Sequence, residues 1–466
     1  MAALYQDLIG SSKHVYLIGI GGVGMSALAR ILKYFGMQVS GSDIKASFIT
    51  RELVREGIPV YLGQNQPTFE GADLIIYSSA IDPDHLELRT ARQMGIKIYH
   101  RAEILSSLFN RAKTSIAVTG THGKTTTSAM ISFVLSELGK EPTCLVGGIL
   151  KNLGSNTLLG NPELWVSEVD ESDKSHELYA PSYAIITNLE EDHLDNYRDL
   201  KDLENSFSKF LKNPVNPGVV IYNGDDAILK RLVLESGKPA LSYGLSPTAD
   251  FSAENIQLDS FGSDFVFLEA GLYATPIKLA VPGVHNVANA LAATTLLIQL
   301  GISPEEVSEP LSRFRGAGRR LEVKWQSDGF VIIDDYAHHP TEVLASIRAL
   351  RRMGGPVTVV FQPHRFSRTQ HFFKEFGRAF QEADELILTE IYGAGERNPE
   401  KIGVDLIYRQ VTEAGHPSVR VLDKKDVTSY LLNRGRSRGI VAFLGAGDIG
   451  DIADEFANRF KSLAAA

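Results

Sequence analysis

A chain of 466 residues is long enough for about three domains at roughly 150 residues each. Hydrophobic residues make up 44% and charged residues 22%, which excludes disorder as the main state, and no apolar run reaches the roughly 18 residues of a membrane span. Lysine plus arginine number 47 against 56 aspartate plus glutamate, a net charge of -9 that disfavours nonspecific nucleic-acid binding. Any phosphate must therefore be held by local devices. The opening Met1-Ala-Ala-Leu-Tyr-Gln-Asp7 lacks the basic and apolar regions of a signal peptide, and Cys144 is the single cysteine. A cytoplasmic protein with no membrane insertion and no nucleic-acid partner is the expectation.

Strand and helix patterns alternate from the start. His14-Val-Tyr-Leu-Ile18 reads as a strand and Val23 to Phe35 as a helix, with apolar residues at spacings of three and four. Gln38-Val-Ser40, Asp73-Leu-Ile-Ile-Tyr77 and Ile96-Lys-Ile-Tyr99 read as the second, third and fourth strands. This rhythm predicts a doubly wound parallel sheet that runs out near Asn110. A second unit opens with the strand Ser115-Ile-Ala-Val118 and a helix from Lys124. It continues with strands at Leu164–Val169 and Tyr183–Thr187, antiparallel strands between about Asp250 and Ala280, and a helix from about His285 to Leu300. Phe314-Arg-Gly-Ala-Gly-Arg-Arg320 reads as a linker or hinge. A third α/β unit follows, with strands near Phe330–Asp334, Val357–Phe361, Glu385–Leu388 and Gly439–Leu444.

Two glycine loops carry the chemistry. The first, Gly19-Ile-Gly21-Gly22-Val-Gly24 followed by Met25 and Ser26, lies between a strand and a helix, where backbone N–H groups can meet a diphosphate. Asp43 follows the second strand at the place of a ribose-binding carboxylate. Alone, this loop fits an NAD-linked dehydrogenase, a UDP-sugar site, or a tight turn without a ligand. The second, Gly120-Thr121-His122-Gly123-Lys124-Thr125-Thr126, is more specific. Its N–H groups can cradle phosphates, Lys124 can neutralise them, and the Thr125 hydroxyl can ligate Mg²⁺. A dehydrogenase has no use for such a loop. Acidic clusters end two following strands, Glu168-Val-Asp-Glu-Ser-Asp173 and Glu190-Glu-Asp192-His193, and strand ends in an open α/β sheet should face the same loop.

In these motifs the chain resembles the Mur ligases. The likeness rests on the Lys124 loop, the Glu168 cluster, Thr187-Asn-Leu-Glu-Glu-Asp-His193 and Pro282-Gly-Val-His-Asn286-Val-Ala-Asn289. It extends through Gly316-Ala-Gly-Arg319-Arg320, Asp334-Asp-Tyr-Ala-His-His-Pro340 and Gln362-Pro-His-Arg-Phe-Ser-Arg368. The resemblance implies an α/β protein of three domains: a Rossmann-like UDP-binding domain at 1–110, a P-loop ATP-binding domain at 111–315 and a Rossmann-like ligase domain at 316–466. It implies a monomer or weak homodimer that uses ATP and Mg²⁺ to join L-alanine to the lactyl carboxylate of UDP-N-acetylmuramate through an acyl phosphate. The alternative is a ligase adding a recycled tripeptide to the same sugar nucleotide.

Roles follow residue by residue from the same resemblance. Gly19, Gly21, Gly22, Gly24, Met25, Ser26 and Asp43 would serve the UDP-sugar. Gly120 through Thr126, with Asn286 and Asn289, would hold ATP, and Thr125, Glu168 and His193 would ligate metal. Arg320 would reach the phosphates and Asp335 would orient catalytic groups. Tyr336, His364, Arg365 and Arg368 would face substrate carboxylates; by their spacing of three, the two arginines share a face if the segment is helical. Asp335, His338 and His339 all remain open as the base that deprotonates the amine. The lysine that several relatives carbamylate aligns with Phe207, so no carbamylation is expected, and nearby Lys209 reads as a solvated helix lysine.

Overall fold

The computed structural model describes residues 13–63, 69, 71–192, 196–213, 218–271, 273–327, 329–434 and 438–465. The chain divides into two compact units. The first comprises residues 1–190, 201–243 and 292–301, and the second 191–200, 244–291 and 302–466.

The first unit holds a five-stranded parallel sheet. Its strands are β1 (His14–Ile18), β2 (Gln38–Asp43), β3 (Val60–Leu62), β4 (Leu74–Tyr77) and β5 (Lys97–His100), ordered β3-β2-β1-β4-β5. The three-residue β3 escapes the sequence reading, so Leu74–Tyr77 is the fourth strand and Lys97–His100 the fifth. The order reverses beside β1, and helix α1 (Val23–Tyr34) starts there, which sets the first glycine loop at the switch point where open α/β sheets bind ligands. Helices α2 (Phe48–Arg55), α3 (Leu86–Gln93) and α4 (Arg101–Phe109) complete this layer; Ser47 starts α2 with a reciprocal cap to Thr50.

A second sheet in this unit has β6 (Thr114–Thr119) between β9 (Asn161–Glu168) and β10 (Tyr183–Ile186). Outward from these lie β7 (Pro142–Leu150) and β8 (Ser155–Leu158) on one side, and β11 (Val219–Asn223) and β12 (Ala240–Gly244) on the other. Helix α5 (Lys124–Glu137) follows β6, and α6 (Leu200–Leu211) and α7 (Ala227–Ser236) follow later in the chain. Strands β7, β8, β11 and β12 are additions to the sequence reading.

In the second unit β13 (Phe251–Leu258), β14 (Ser263–Glu269) and β15 (Tyr273–Leu279) form the expected antiparallel meander. Helix α8 (Val284–Gln299) follows and contributes to both units; α9 (Pro304–Ser312) opens with a Ser303–Glu306 capping box and Pro304 in the first turn. The Phe314–Arg320 stretch is irregular, as a linker would be, yet Phe314 and Ala317 are fully buried.

The last sheet is ordered β16 (Glu322–Ser327), β17 (Phe330–Asp335), β21 (Gly439–Leu444), β18 (Val357–Phe361), β19 (Glu385–Leu388) and β20 (Val419–Val421). All neighbours are parallel except β16 with β17. Helices α10 (Pro340–Arg352), α11 (Phe366–Ala379), α12 (Asp405–Glu413), α13 (Lys424–Asn433) and α14 (Ile449–Ala465) cover it. The central strands are buried on both faces, which is why they read as unbroken apolar runs. Val357, Val359 and Phe361 join one core while Val360 joins the other, as the two-residue period of a strand requires. The edge strands β16 and β20 escape the sequence reading. One is mostly polar and the other has three residues, so neither carries a periodic signal.

Among the described residues no helix is long and apolar enough to cross a membrane. Phe207 is fully buried in α6 with its ring 4.9 Å from the equally buried His176, whereas the Lys209 side chain is 68% exposed beside Glu177. Phe207→Ala should therefore destabilise the first unit by about 3–5 kcal/mol, measurable by urea unfolding, and Lys209→Ala by under about 0.5 kcal/mol.

Candidate active site

The first glycine loop is built by backbone. The N–H groups of Gly19 and Ile20 donate to the Ser42 carbonyl, Gly19 turns at a φ of 75°, and Gly21 N–H donates to Asp43 Oδ2 at 2.8 Å. Asp43 thus braces the loop itself. A Cβ on Gly21 would lie 2.7 Å from that carboxylate oxygen, so the brace requires glycine. Gly22 starts α1 with no side-chain cap, leaving first-turn N–H groups for a ligand. Met25 and Ser26 are buried, so what they offer a ligand is backbone. The Arg101 guanidinium packs on Gly24, where a Cβ would collide with it. Sequence reading passed over Arg101; its signal was its place at the carboxyl end of β5.

The second loop leaves β6 and enters α5 through Gly123 at a φ of 84°. Because β9 and β10 flank β6, the Glu168 cluster and Glu190 meet the loop as expected, whereas Asp192 of the second cluster is paired elsewhere. Lys124 Nζ donates to the carbonyls of Gly120 (2.7 Å) and Thr121 (3.1 Å) and to Glu171 Oε1 (2.8 Å). The Glu171 side chain is 1% exposed. Burial opposes the lysine's charge, but Glu171, Asp170 and Glu168 together raise its pKa, so it is a cation. Thr125 Oγ1 donates to Glu168 Oε1 at 3.0 Å, and Glu168 Oε2 accepts the Gly147 N–H at 2.6 Å. From β10, Asn188 Oδ1 accepts the His122 N–H at 2.8 Å, and Thr187 Oγ1 donates to the His122 carbonyl. Gly120 lies so close to Thr187 that a Cβ there would come within 2.4 Å of its hydroxyl. Thr126 is buried in the first turn of α5. His193 lies outside the described residues.

The second unit gathers a separate set of residues. Asn286 and Asn289 are buried one turn apart on α8; Asn289 donates to Asn286 Oδ1 (3.2 Å), and Asn286 donates to the Pro282 carbonyl (2.7 Å). At the carboxyl ends of β17, β21 and β18 the side chains converge. Arg319, at a φ of 55°, is committed to Asp334 and the carbonyls of Gly445 and Gly447. Arg320 lies over the Tyr336 ring, with its Nη1 3.8 Å from Glu342. Asp335 accepts from the Ser346 hydroxyl (2.6 Å) and the Ala337 N–H (3.2 Å), and burial lifts its pKa to about 6.

The histidines can be told apart by their partners. His338 Nδ1 lies 2.9 Å from the Tyr336 carbonyl, which can only accept, so its proton is on Nδ1 and its Nε2 carries the lone pair. His339 Nδ1 accepts the Thr341 N–H at the start of α10, in a capping box with Glu342, which makes it a helix cap. His364 Nδ1 faces Arg368 Nη1 at 3.1 Å and must be the acceptor.

The two arginines depart from expectation. Helix α11 starts at Phe366, so Arg365 stands outside it at a φ of 69° and shares no helical face with Arg368. Its Nη1 lies 3.5 Å from Glu396, which also takes the N–H groups of Phe366 and Ser367. Arg368 is paired with Asp192: Nε and Nη2 reach Oδ1 at 3.1 and 2.9 Å, and Nη2 reaches Oδ2 at 3.1 Å. Both side chains are about 5–6% exposed. Arg368 therefore has no free edge for a two-pronged grip on a substrate carboxylate in this arrangement. The sequence quoted Asp192 within a motif, but nothing there indicated its partner.

Family models match nearly the whole chain in order: Mur ligase family, catalytic domain, over residues 14–113; Mur ligase middle domain over 118–297; and Mur ligase, glutamate ligase domain over 319–447. A protein of Aquifex aeolicus named UDP-N-acetylmuramate--L-alanine ligase is 40% identical over 450 residues, covering 95% of this chain and 97% of its own length. The chain belongs to the Mur ligase family. A protein of the same name from Gloeobacter violaceus is 40% identical to this Mur ligase over 456 residues, with 97% of each chain covered. The crystal structure of the UDP-N-acetylmuramate-alanine ligase of Thermotoga maritima superposes on it with a TM-score of 0.81 at 30% identity, covering 97% of this chain and 99% of that one. A murein peptide ligase of Psychrobacter arcticus shares the fold at 22% identity and a TM-score of 0.72, covering 96% and 98%.

Burial, then the Arg368 charge, pushes the pKa of both His338 and His364 down to about 3, with Arg365 adding to the effect at His364. A depressed histidine pKa gives stability that is full above about pH 6.5 and lost as pH falls toward 3, because the unfolded chain takes up the protons first. His338→Gln and His364→Gln should each lose less stability than the parent between pH 7 and 4.5, by on the order of 1 kcal/mol per pH unit. Equal shifts of the urea midpoint in parent and variants would contradict these environments.

Proposed function

We propose that this Mur ligase joins L-alanine to the lactyl carboxylate of UDP-N-acetylmuramate, forming ADP and phosphate, as a cytoplasmic step of peptidoglycan precursor synthesis. The observation that carries this reading is the near-full-length identity to relatives of that name. Two phosphate-type loops in the first unit fit a sugar nucleotide and a nucleoside triphosphate. The murein peptide ligase is the alternative, supported by solved structures at 22% and 27% identity against the 40% of the L-alanine ligases. The domain limits we propose are 1–110, 111–315 and 316–466.

A carboxylate is a poor electrophile, so the γ-phosphoryl of ATP is first transferred to the lactyl carboxylate. The loop from Gly19 to Ser26 holds the UDP diphosphate through backbone N–H groups, with Asp43 setting the loop's shape. The loop from Gly120 to Thr126 holds the ATP phosphates, and Asn286 and Asn289 help hold the nucleotide. Lys124 and Arg320 stabilise charge as two anions approach. Thr125 and Glu168 would hold Mg²⁺, with His193 as a further ligand. Their facing hydroxyl and carboxylate oxygens are the donors this ion takes. When bound, the ion supplies positive charge at the phosphates.

The amine of L-alanine then attacks the acyl phosphate, its proton passes to a base, and phosphate leaves. His338 is the base this reading favours, because the Tyr336 carbonyl engages its Nδ1–H and leaves the Nε2 lone pair to accept a proton, although burial lowers the ring's basicity. His339 is occupied as a helix cap and Asp335 by Ser346 and Ala337. Tyr336, His364, Arg365 and Arg368 would serve the amino-acid side of the site.

Phosphate release should require ATP, Mg²⁺, UDP-N-acetylmuramate and L-alanine together, and a coupled phosphate assay with each omitted in turn tests this. Release supported by a tripeptide but not by L-alanine would favour the alternative. Lys124→Ala should lower kcat by about 10²–10³ or more while UDP-N-acetylmuramate still binds by calorimetry. Glu168→Ala should raise the Mg²⁺ concentration needed for half-maximal rate; an unchanged Mg²⁺ titration would remove Glu168 from the metal site.

A further inference from the structure

Arg368 sits between a carboxylate and an imidazole in the second unit. On one side Asp192 takes its Nε and Nη2 in a pair almost sealed from water. On the other, Nη1 lies 3.1 Å from His364 Nδ1. A guanidinium has five N–H donors and no acceptor, and it keeps its charge in proteins. A nitrogen at that distance from Nη1 can only be accepting, so Nδ1 of His364 bears no proton. The single proton of the neutral ring must then be on Nε2.

We propose that Asp192, acting through Arg368, is a positioning residue that fixes His364 as a neutral imidazole with its proton on Nε2, so that it meets the substrate as a hydrogen-bond donor. The inference rests on the ligase reading only for the identity of that substrate. It extends that reading by giving His364 a role opposite to that of His338. The two rings stand 5.7 Å apart edge to face, one presenting a lone pair at Nε2 and the other an N–H. Of such a pair, one ring can take the amine's proton while the other donates to the carboxylate or acyl-phosphate oxygen beside it.

Three further contacts favour a fixed ring. Tyr392 stacks on His364 at 5.7 Å with planes 14° apart, and the backbones of His364 and Tyr392 form a bridge. Burial and the charges of Arg368 and Arg365 disfavour a second proton on the ring and outweigh the opposing charge of Asp192, whose part is to hold Arg368 in place. Asp192 is itself held by the geometry of the pair. A neutral asparagine could keep the two hydrogen bonds to Oδ1 but would lose the one to Oδ2 and the charge, which loosens the hold on the guanidinium.

Full-length protein with ¹⁵N-labelled histidine, assigned with His338→Gln and His364→Gln, tests this without turnover. At pH 7, long-range proton–nitrogen spectra should show His364 protonated on Nε2 alone and His338 on Nδ1 alone. In Asp192→Asn, His364 should become a mixture of tautomers, and KM for L-alanine should rise about tenfold or more while KM for ATP changes less than twofold. Asp192→Glu, which keeps the charge, should retain the tautomer and recover part of the KM. A wild-type His364 carrying its proton on Nδ1, or a folded Asp192→Asn with tautomer and KM unchanged, would overturn the proposal. A KM for L-alanine that falls in Asp192→Asn would also overturn it and mark Asp192 as a competitor for Arg368. If L-alanine supports no phosphate release, the ligase reading fails while the spectra still decide the tautomer.

Discussion

A buried cation needs a counter-charge, and that constraint organises the site residues of this protein. Anionic substrates call for positive groups at the ends of the central strands, where water is scarce. Each such group is held by an internal acceptor. The buried Lys124 has Glu171 and two carbonyls and the buried Arg368 has Asp192, while the part-exposed Arg319 and Arg365 have Asp334 and Glu396. An unpaired buried charge would cost several kcal/mol, a large part of a domain's stability. Pairing lets the chain fold with its cations already aimed.

The same pairing decides protonation. Glu171 and its acidic neighbours keep Lys124 charged despite burial, whereas Arg368 helps keep His338 and His364 neutral. The first unit therefore holds a charged Lys124, and the second holds neutral rings at His338 and His364. The backbone sets which ring nitrogen is available. The Tyr336 carbonyl accepts a hydrogen bond from Nδ1–H of His338, and a guanidinium forbids a proton at Nδ1 of His364. Adjacent histidines also diverge, because His339 is consumed as the cap of α10.

The sequence by itself determined the α/β class, the central strands and both glycine loops. These are local properties: apolar runs of strand length, glycines before a helix, and lysine and threonine at the helix start. It also placed Glu168 beside the Lys124 loop, because parallel strands deliver their carboxyl ends to one edge of a sheet. Only the tertiary structure decided which charges meet. Asp192 and Arg368 are 176 positions apart and become a bidentate pair through folding alone, and nothing in the periodicity near either residue encodes the partner. The helix start at Phe366 separated Arg365 from Arg368, since a residue with a φ of 69° cannot belong to a right-handed helix. The tautomers of His338 and His364 were equally out of reach of sequence, because a ring proton answers to whatever atom lies 3 Å away rather than to its neighbours in the chain.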